Sequence, residues 1–236
     1  MALYCFIKGV SLFVPLIISS GFGATKLIDR KRLLKNGAQK FHHAVSSKFD
    51  FTRILLYFAT MKKLKLEELG RKSVEEYKKG NKIPVEIVLD NVRSLHNVGS
   101  AFRTADAFLI KKIYLTGITG QPPHREIHKT ALGAQDSVDW EYFPETTSLL
   151  KKLKASSKKV IAVEQTDSSS GLANFEIDEK EEYVLFFGNE VEGVSDEVIA
   201  QCDGCIEIPQ YGTKHSLNVS VSIGIVLYEF SKKLNV

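Results

Sequence analysis

Three stretches of this sequence gather polar side chains of a kind that holds and orients a ligand. In LDNVRSLHNVGSAFRTADAF (89–108) an apolar run gives way to Asn91, Arg93 and Asn97, then to Ser100, Arg103 and Asp106. Asn97, Ser100 and Arg103 recur at i, i+3 and i+6, which places them on one side of a helix. In FFGNEVEGVSDEV (186–198) a Gly188-Asn189-Glu190 turn is followed by Gly193. In IPQYGTKHSLNVSVSIGIVLYEF (208–230) a loop with Gly212 leads into Ser216-Leu217-Asn218. Glycines beside such groups let a backbone approach a ligand closely and take unusual dihedrals. Each residue alone has a plainer reading. Arg103 is then a solvated charge on a helix, and Glu190 a helix-entrance carboxylate facing the positive dipole end. Ser216 is then a good N-cap, with Asn218 incidental.

The elements needed to place these residues follow from periodicity. VEIVLD (85–90), KIYLTG (112–117), KVIAVE (159–164), YVLFFG (183–188) and CIEIP (205–209) read as buried strands, with a further short strand near 137–142. Helices are expected over 97–109, 124–132, 146–156, 195–200 and 216–234, the first with Val98, Ala101, Phe102, Ala105 and Phe108 on one face. Residues 61–80 read as a single helix closed by Gly80-Asn81, and the tract Asp167-Ser168-Ser169-Ser170-Gly171 as a loop. Alternating strands and helices argue for an α/β fold, a mostly parallel sheet with helices on both faces. In such sheets ligand groups gather beyond the carboxyl ends of the strands, where all three stretches lie.

The charge is unevenly spread. Residues 1–60 hold nine Lys/Arg against Asp29 and Asp50, so the rest of the chain is slightly acidic despite a net charge of +4. A body of that balance is no general nucleic-acid coat, and RNA binding by it requires a local patch. Residues 9–24 carry no charge, but the run falls short of the ~20 residues of a membrane span. It resembles a secretory signal only loosely. Met61 opens a second, self-sufficient beginning. The expected organisation is an N-terminal extension over 1–60, an upstream addition to the reading frame or a targeting segment, then a leading helix over 61–82 and a catalytic domain over 83–236. No membrane is expected for the 61–236 body. Three cysteines make no disulfide framework, so a reducing, cytoplasmic setting is expected.

Other candidates are weaker. Cys202-Asp-Gly-Cys205 is a lone C-x-x-C, and a zinc site needs four ligands. His124 and His128 have helical spacing, but HREIH is not HExxH; surface or RNA-facing histidines fit better, with Lys129 and Thr130 beside them. No metal is expected. Lys151, Lys152, Lys154, Lys158 and Lys159 read as a solvated face. Arg93 either touches RNA phosphate or pairs with Asp90. No P-loop and no dinucleotide fingerprint is present, so nucleotide hydrolysis and hydride transfer have no support.

Taken in order, the three stretches resemble the motifs of the SpoU (TrmH-like) RNA ribose methyltransferases of the SPOUT superfamily. Asn97, Gly99, Ser100, Arg103, Thr104, Ala105 and Asp106 match the first motif. Gly188, Glu190 and Gly193 match the second. Ile208, Pro209, Gly212, Ser216, Leu217, Asn218, Val219, Ser220 and Val221 match the third. The resemblance spans about residues 83–234. It implies a deep trefoil knot in the C-terminal third, a homodimer with each site completed by the partner chain, and transfer of a methyl group from S-adenosyl-L-methionine to a ribose 2′-hydroxyl of tRNA or rRNA. The implied cofactor loops carry Gln165 and Thr166, Gly188, Asn189 and Gly193, and Ile208, Gly212, Ser216 and Leu217. The implied catalytic set is Arg103, Asn97, Glu190, Ser216 and Asn218, with Asn97 and Glu190 orienting Arg103 and the cofactor loop. Arg103 is the family's proposed base, yet a guanidinium stays protonated below pH ~12, so positioning of phosphate and hydroxyl is the physically easier role. The competing expectations are a non-catalytic RNA-binding or assembly factor that keeps the knot, and a membrane-associated protein acting through residues 9–24.

Overall fold

The computed structural model describes residues 2–7, 10–15 and 62–234, in two compact units, Met1–Lys65 and Leu66–Val236. In the first unit β1 (Ala2–Ile7) pairs antiparallel with β2 (Val10–Pro15). Part of the charge-free run is therefore strand. Residues 16–24, the basic stretch after them and Met61 lie outside the described residues. Among the described residues no helix is long and apolar enough to cross a membrane.

The second unit opens differently from the single helix expected over 61–80. A 3-10 turn, Leu66–Leu69, is followed by Gly70 at φ +57°, and only then by α1 (Val74–Lys79). The left-handed residue breaks the helix, and Ser73 restarts it. The Ser73 side chain accepts from the Glu76 amide while the Glu76 carboxylate accepts from the Ser73 amide at 2.7 Å, a reciprocal cap that S-V-E-E announces in the sequence.

The apolar runs become β3 (Ile83–Asp90), β4 (Ile110–Thr116), β5 (Trp140–Phe143), β6 (Lys159–Val163), β8 (Tyr183–Phe187) and β9 (Gly204–Glu207). A two-residue strand β7 (Ser170–Gly171) pairs with β9, so the serine tract read as loop supplies an edge strand. All pairings in the seven-stranded sheet are parallel, in the order β5-β4-β3-β8-β6-β9-β7. Alternate strand residues face opposite sides. Ile87, Leu89, Leu185 and Phe187 join one core with α2 (Leu95–Ala107), α3 (Arg125–Ala131), α4 (Ala134–Ser137) and α7 (Val219–Lys233). Val88, Val184 and Phe186 join the other with α5 (Thr146–Lys154) and α6 (Asp196–Ile199). The expected sheet covered by helices on both faces is the sheet observed.

The strand order matters for the site. The chain runs outward from β3 through β4 to β5, crosses back to β6, and then inserts β8 between β3 and β6. The loops leaving β3, β6, β8 and β9 thus converge at one end of neighbouring strands, where the direction of strand progression reverses.

Candidate active site

The loop after β3 is locked before it reaches the site. Asp90, buried at the strand end, accepts from the Thr116 and Thr146 hydroxyls at 2.9 and 2.6 Å and from the Asn91 amide at 2.8 Å. All three converge on Oδ1, and the expected alternative of an Arg93–Asp90 pair is not formed. Ser94 then caps α2, its hydroxyl accepting from the Asn97 amide at 3.3 Å. The helix starts two residues earlier than periodicity suggests, because a cap is set by a side-chain hydrogen bond and not by an apolar face.

Gly188 sits where any Cβ would run into the backbone of Gly193 and Val194. Gly193 has φ +68°, and a Cβ there would strike the Glu164 carboxylate. The loop between them closes through paired Asn189–Gly193 backbone bonds of 3.2 and 3.1 Å, with the Asn189 side chain accepting from the Val191 and Glu192 amides at 2.8 Å. Glu164 ties this loop to the end of β6, accepting from the Val194 amide at 3.0 Å and from the Gln165 amide at 2.9 Å. The resemblance starts the first cofactor loop at Glu164, but its bracing of the Gly188–Gly193 loop depends on a contact 30 positions away.

Glu190, projected by that tight loop, reaches the first stretch. Its carboxylate accepts from the Arg93 and Ser94 amides at 3.1 and 3.2 Å and from the Asn97 side chain at 2.7 Å. Asn97 in turn accepts from the Asn218 amide at 3.3 Å. Burial would raise the Glu190 carboxyl; the hydrogen bonds from Asn97, Arg93, Ser94 and its own backbone outweigh it and hold the group below its ordinary value of 4.5. Glu190 therefore faces a helix N-terminus as its plain reading has it, but the helix is α2, remote in sequence. Asn218 is the N-cap of α7: its Oδ1 accepts from the Ser220 amide at 2.9 Å and the Ser220 hydroxyl at 2.6 Å. That corrects the expectation of a helix from residue 216 capped by Ser216. Ser216 lies in the preceding loop.

A cleft of about 300 Å³ opens beside this chain of amides. Of the expected cofactor residues, Gln165, Gly188, Asn189 and Gly193 line it, as do Ile208, Ser216 and Leu217. Glu190 lines it too. Thr166 and Gly212 do not; the Thr166 hydroxyl is buried without a partner among the described residues, and Gly212 has open space around it. Glu164, Glu192, Glu207, Gln210, His215 and Ser222 complete the polar lining and were not in the expected set. Asn97 and Asn218 stand behind the wall. Arg103 is apart: it is exposed on α2, does not line the cleft and makes no side-chain bond among the described residues. Asn97 and Glu190 make no side-chain bond to Arg103; both are engaged at the cap of α2, two helical turns away. Gly99, in the first motif, serves packing: a Cβ there would meet Thr130 and the Ile127 carbonyl on α3.

A doubly wound parallel sheet whose strand-end loops wall a polar cleft defines an α/β protein of the ligand-binding kind. The SpoU rRNA Methylase family model matches residues 84–228. A tRNA (guanosine(18)-2'-O)-methyltransferase of Aquifex aeolicus is 33% identical over 151 residues, which cover 62% of this chain and 68% of the relative. The enzyme of the same name from Thermus thermophilus is 29% identical over 166 residues, 70% of this chain and 84% of the relative. Among solved structures, the TrmH/SpoU tRNA modifying enzyme of A. aeolicus matches with a TM-score of 0.62 at 29% identity, over 69% of this chain and 81% of that one. An AdoMet-bound rRNA methyltransferase from Sinorhizobium meliloti matches with a TM-score of 0.61 at 26% identity, over 70% and 62%. This chain belongs to the SpoU methylase family.

Proposed function

We propose that this chain is an RNA methyltransferase that places the methyl group of S-adenosyl-L-methionine on a ribose 2′-hydroxyl of tRNA or rRNA. The observation that carries the reading is the Glu190–Asn97–Asn218 chain, which joins all three motifs at the rim of a glycine-built cleft. The cleft fits the cofactor in kind: Gly188 and Gly193 admit a ligand against bare backbone, and the Glu192 and Glu207 carboxylates suit a cation. Gln165, Asn189, Ile208, Ser216 and Leu217 would hold it, and when bound it supplies an electrophilic methyl group.

The protein's own residues do the rest. Glu190 fixes the start of α2 to its own chain's cleft-walling loop, so that the face carrying Ser100 and Arg103 has one position within the protomer that presents it. Arg103 holds the phosphate beside the target and the hydroxyl itself, a task for a permanent cation. Ser216, on the cleft wall, hydrogen-bonds the ribose.

The homodimer belongs to the same proposal. Val221, Ile225 and Tyr228 form an exposed apolar stripe on α7, interrupted by Gly224, over which there is open space. A self-complementary pairing through that stripe would bury it. It would also bring an Arg103 to a cleft that its own chain leaves without one. The knotted path is supported by β8 inserting between strands already laid and by Lys233 of α7 reaching back to the carbonyls of Leu172, Ala173 and Phe175 at 3.2, 3.0 and 2.8 Å. Work on RNA inside the cell makes the cytoplasm its setting.

The test is Arg103→Ala. Turnover on total tRNA and rRNA should fall by ~10³ or more, while calorimetric binding of S-adenosyl-L-methionine stays within about twofold. A protein that binds RNA but neither binds the cofactor nor methylates would be the assembly factor instead.

A further inference from the structure

Among the described residues the two most exposed large apolar side chains are Tyr211, at 96%, and Val191, at 71%. Single exposed apolar residues are ordinary on a protein surface. These two, however, stand on loops that wall the same cleft. Val191 lines it from the Gly188–Gly193 loop, and Tyr211 follows Gln210, which lines it from the loop between β9 and α7. At that exposure the Tyr211 ring covers nothing in its own chain, so packing gives no reason for it.

The segment that carries the ring is held at its ends. Ile208 packs on the main core, and Asn218 caps α7. From Pro209 to Leu217 no hydrogen bond is formed among the described residues, and a Cβ on Gly212 would meet open space. The segment has no acidic residue; Lys214 makes no ion pair among the described residues, and His215 lines the cleft. This composition differs from the apolar stripe of Val221, Ile225 and Tyr228, which suits a second copy. A ring face, an unpaired cation and no acid in one segment suit a single RNA strand: the ring takes a base of any identity, and the cation takes a phosphate.

We propose that Tyr211 stacks on an unpaired base of the substrate RNA at the mouth of the cleft, with Lys214 on a flanking phosphate. The inference deepens the methyltransferase reading and rests on it. A ribose whose 2′-hydroxyl enters a cleft between protein loops has to leave the helical stack, and the bases there lose a stacking partner. The Tyr211 ring supplies one, and Val191 adds apolar surface from the other loop. Because every base has a stacking face, the contact holds the strand in register with the methyl donor without choosing among bases. It is a substrate contact outside the methyl transfer itself, so it sets KM rather than kcat.

The probe is an oligouridylate with a central 2-aminopurine, a base whose emission falls on stacking, titrated with full-length protein in the presence of S-adenosyl-L-methionine. Wild type and Tyr211→Phe should quench it, since both carry the ring face. Tyr211→Ala should not, and should bind the oligomer about tenfold more weakly. On total tRNA and rRNA, Tyr211→Ala should raise KM about tenfold, with kcat and calorimetric cofactor binding within about twofold, and Tyr211→Phe should restore KM. Sedimentation should give one assembly state for all three proteins. No quenching by the wild type, quenching that survives in Tyr211→Ala, or transfer by that variant at wild-type KM overturns the stack. So does a Phe variant as impaired as the Ala variant, which would put the contribution in the hydroxyl, or an Ala variant of altered assembly state, which would give the ring to a second copy. Quenching that depends on Tyr211, without methyl transfer to any RNA, sinks the enzymatic reading and leaves the stack standing.

Discussion

At the scale of single residues, Glu190 shows how one carboxylate can join two elements distant in sequence. It satisfies amides at the start of α2 that no helical carbonyl can reach, and in doing so fixes the helix that bears Arg103 to the loop that walls the cleft. Its carboxyl is held below the ordinary 4.5 in the folded protein, so the charged form is what the fold favours. The stabilisation is complete above pH 4.5 and is lost as pH falls through the lower folded value. Thermal melts of the wild type and Glu190→Gln across acid pH should therefore differ near neutrality and converge below that window. A gap that persists unchanged into strong acid would mean the charge is not what Glu190 contributes. The identities of Asn97, Glu190 and Asn218 were legible in the sequence. Their mutual bonding was not, because the partners lie 93 and 121 positions apart.

At the scale of elements, caps decided what periodicity left open. Apolar spacing located α2 and α7 but misplaced both starts, since a first turn is chosen by the side chain that accepts its free amides. Ser94 does this for α2, and Asn218 for α7. Asn218→Ala should cost about 1 kcal/mol in urea unfolding. Ser216→Ala, in an exposed loop position, should change stability by less than about 0.5 kcal/mol while impairing turnover. A Ser216→Ala protein as destabilised as Asn218→Ala would restore Ser216 as the cap. The leading segment failed as a single helix for the opposite reason: Gly70 takes a left-handed conformation, which sequence marks only as a glycine among good helix formers.

At the scale of the molecule, the proposed pairing of two copies would account both for an Arg103 that makes no side-chain bond among the described residues and for the apolar stripe on α7. If each cleft draws its Arg103 from the partner, two inactive variants complement. Co-expressed Arg103→Ala and Ser216→Ala chains should recover about a quarter of wild-type turnover, because random pairing makes half the dimers mixed and each mixed dimer holds one cleft with both an intact Ser216 wall and the partner's Arg103. Recovery absent from dimers shown to be mixed would place Arg103 and the cleft in the same chain.

The sequence by itself determined the alternation of strands and helices, the parallel sheet and the three motif loops, because these are written in local periodicity and residue type; the chemistry came from the resemblance of those motifs to the SpoU family. Only the tertiary structure decided that β8 inserts between β3 and β6, that Glu190 caps a helix begun nearly a hundred residues earlier, that Arg103 stands outside its own chain's cleft, and that Tyr211 and Val191 stand exposed on the loops that wall it. Each of those depends on which distant segments meet, and strand order and side-chain partnership are set by packing over the whole sheet rather than by any window of neighbouring residues.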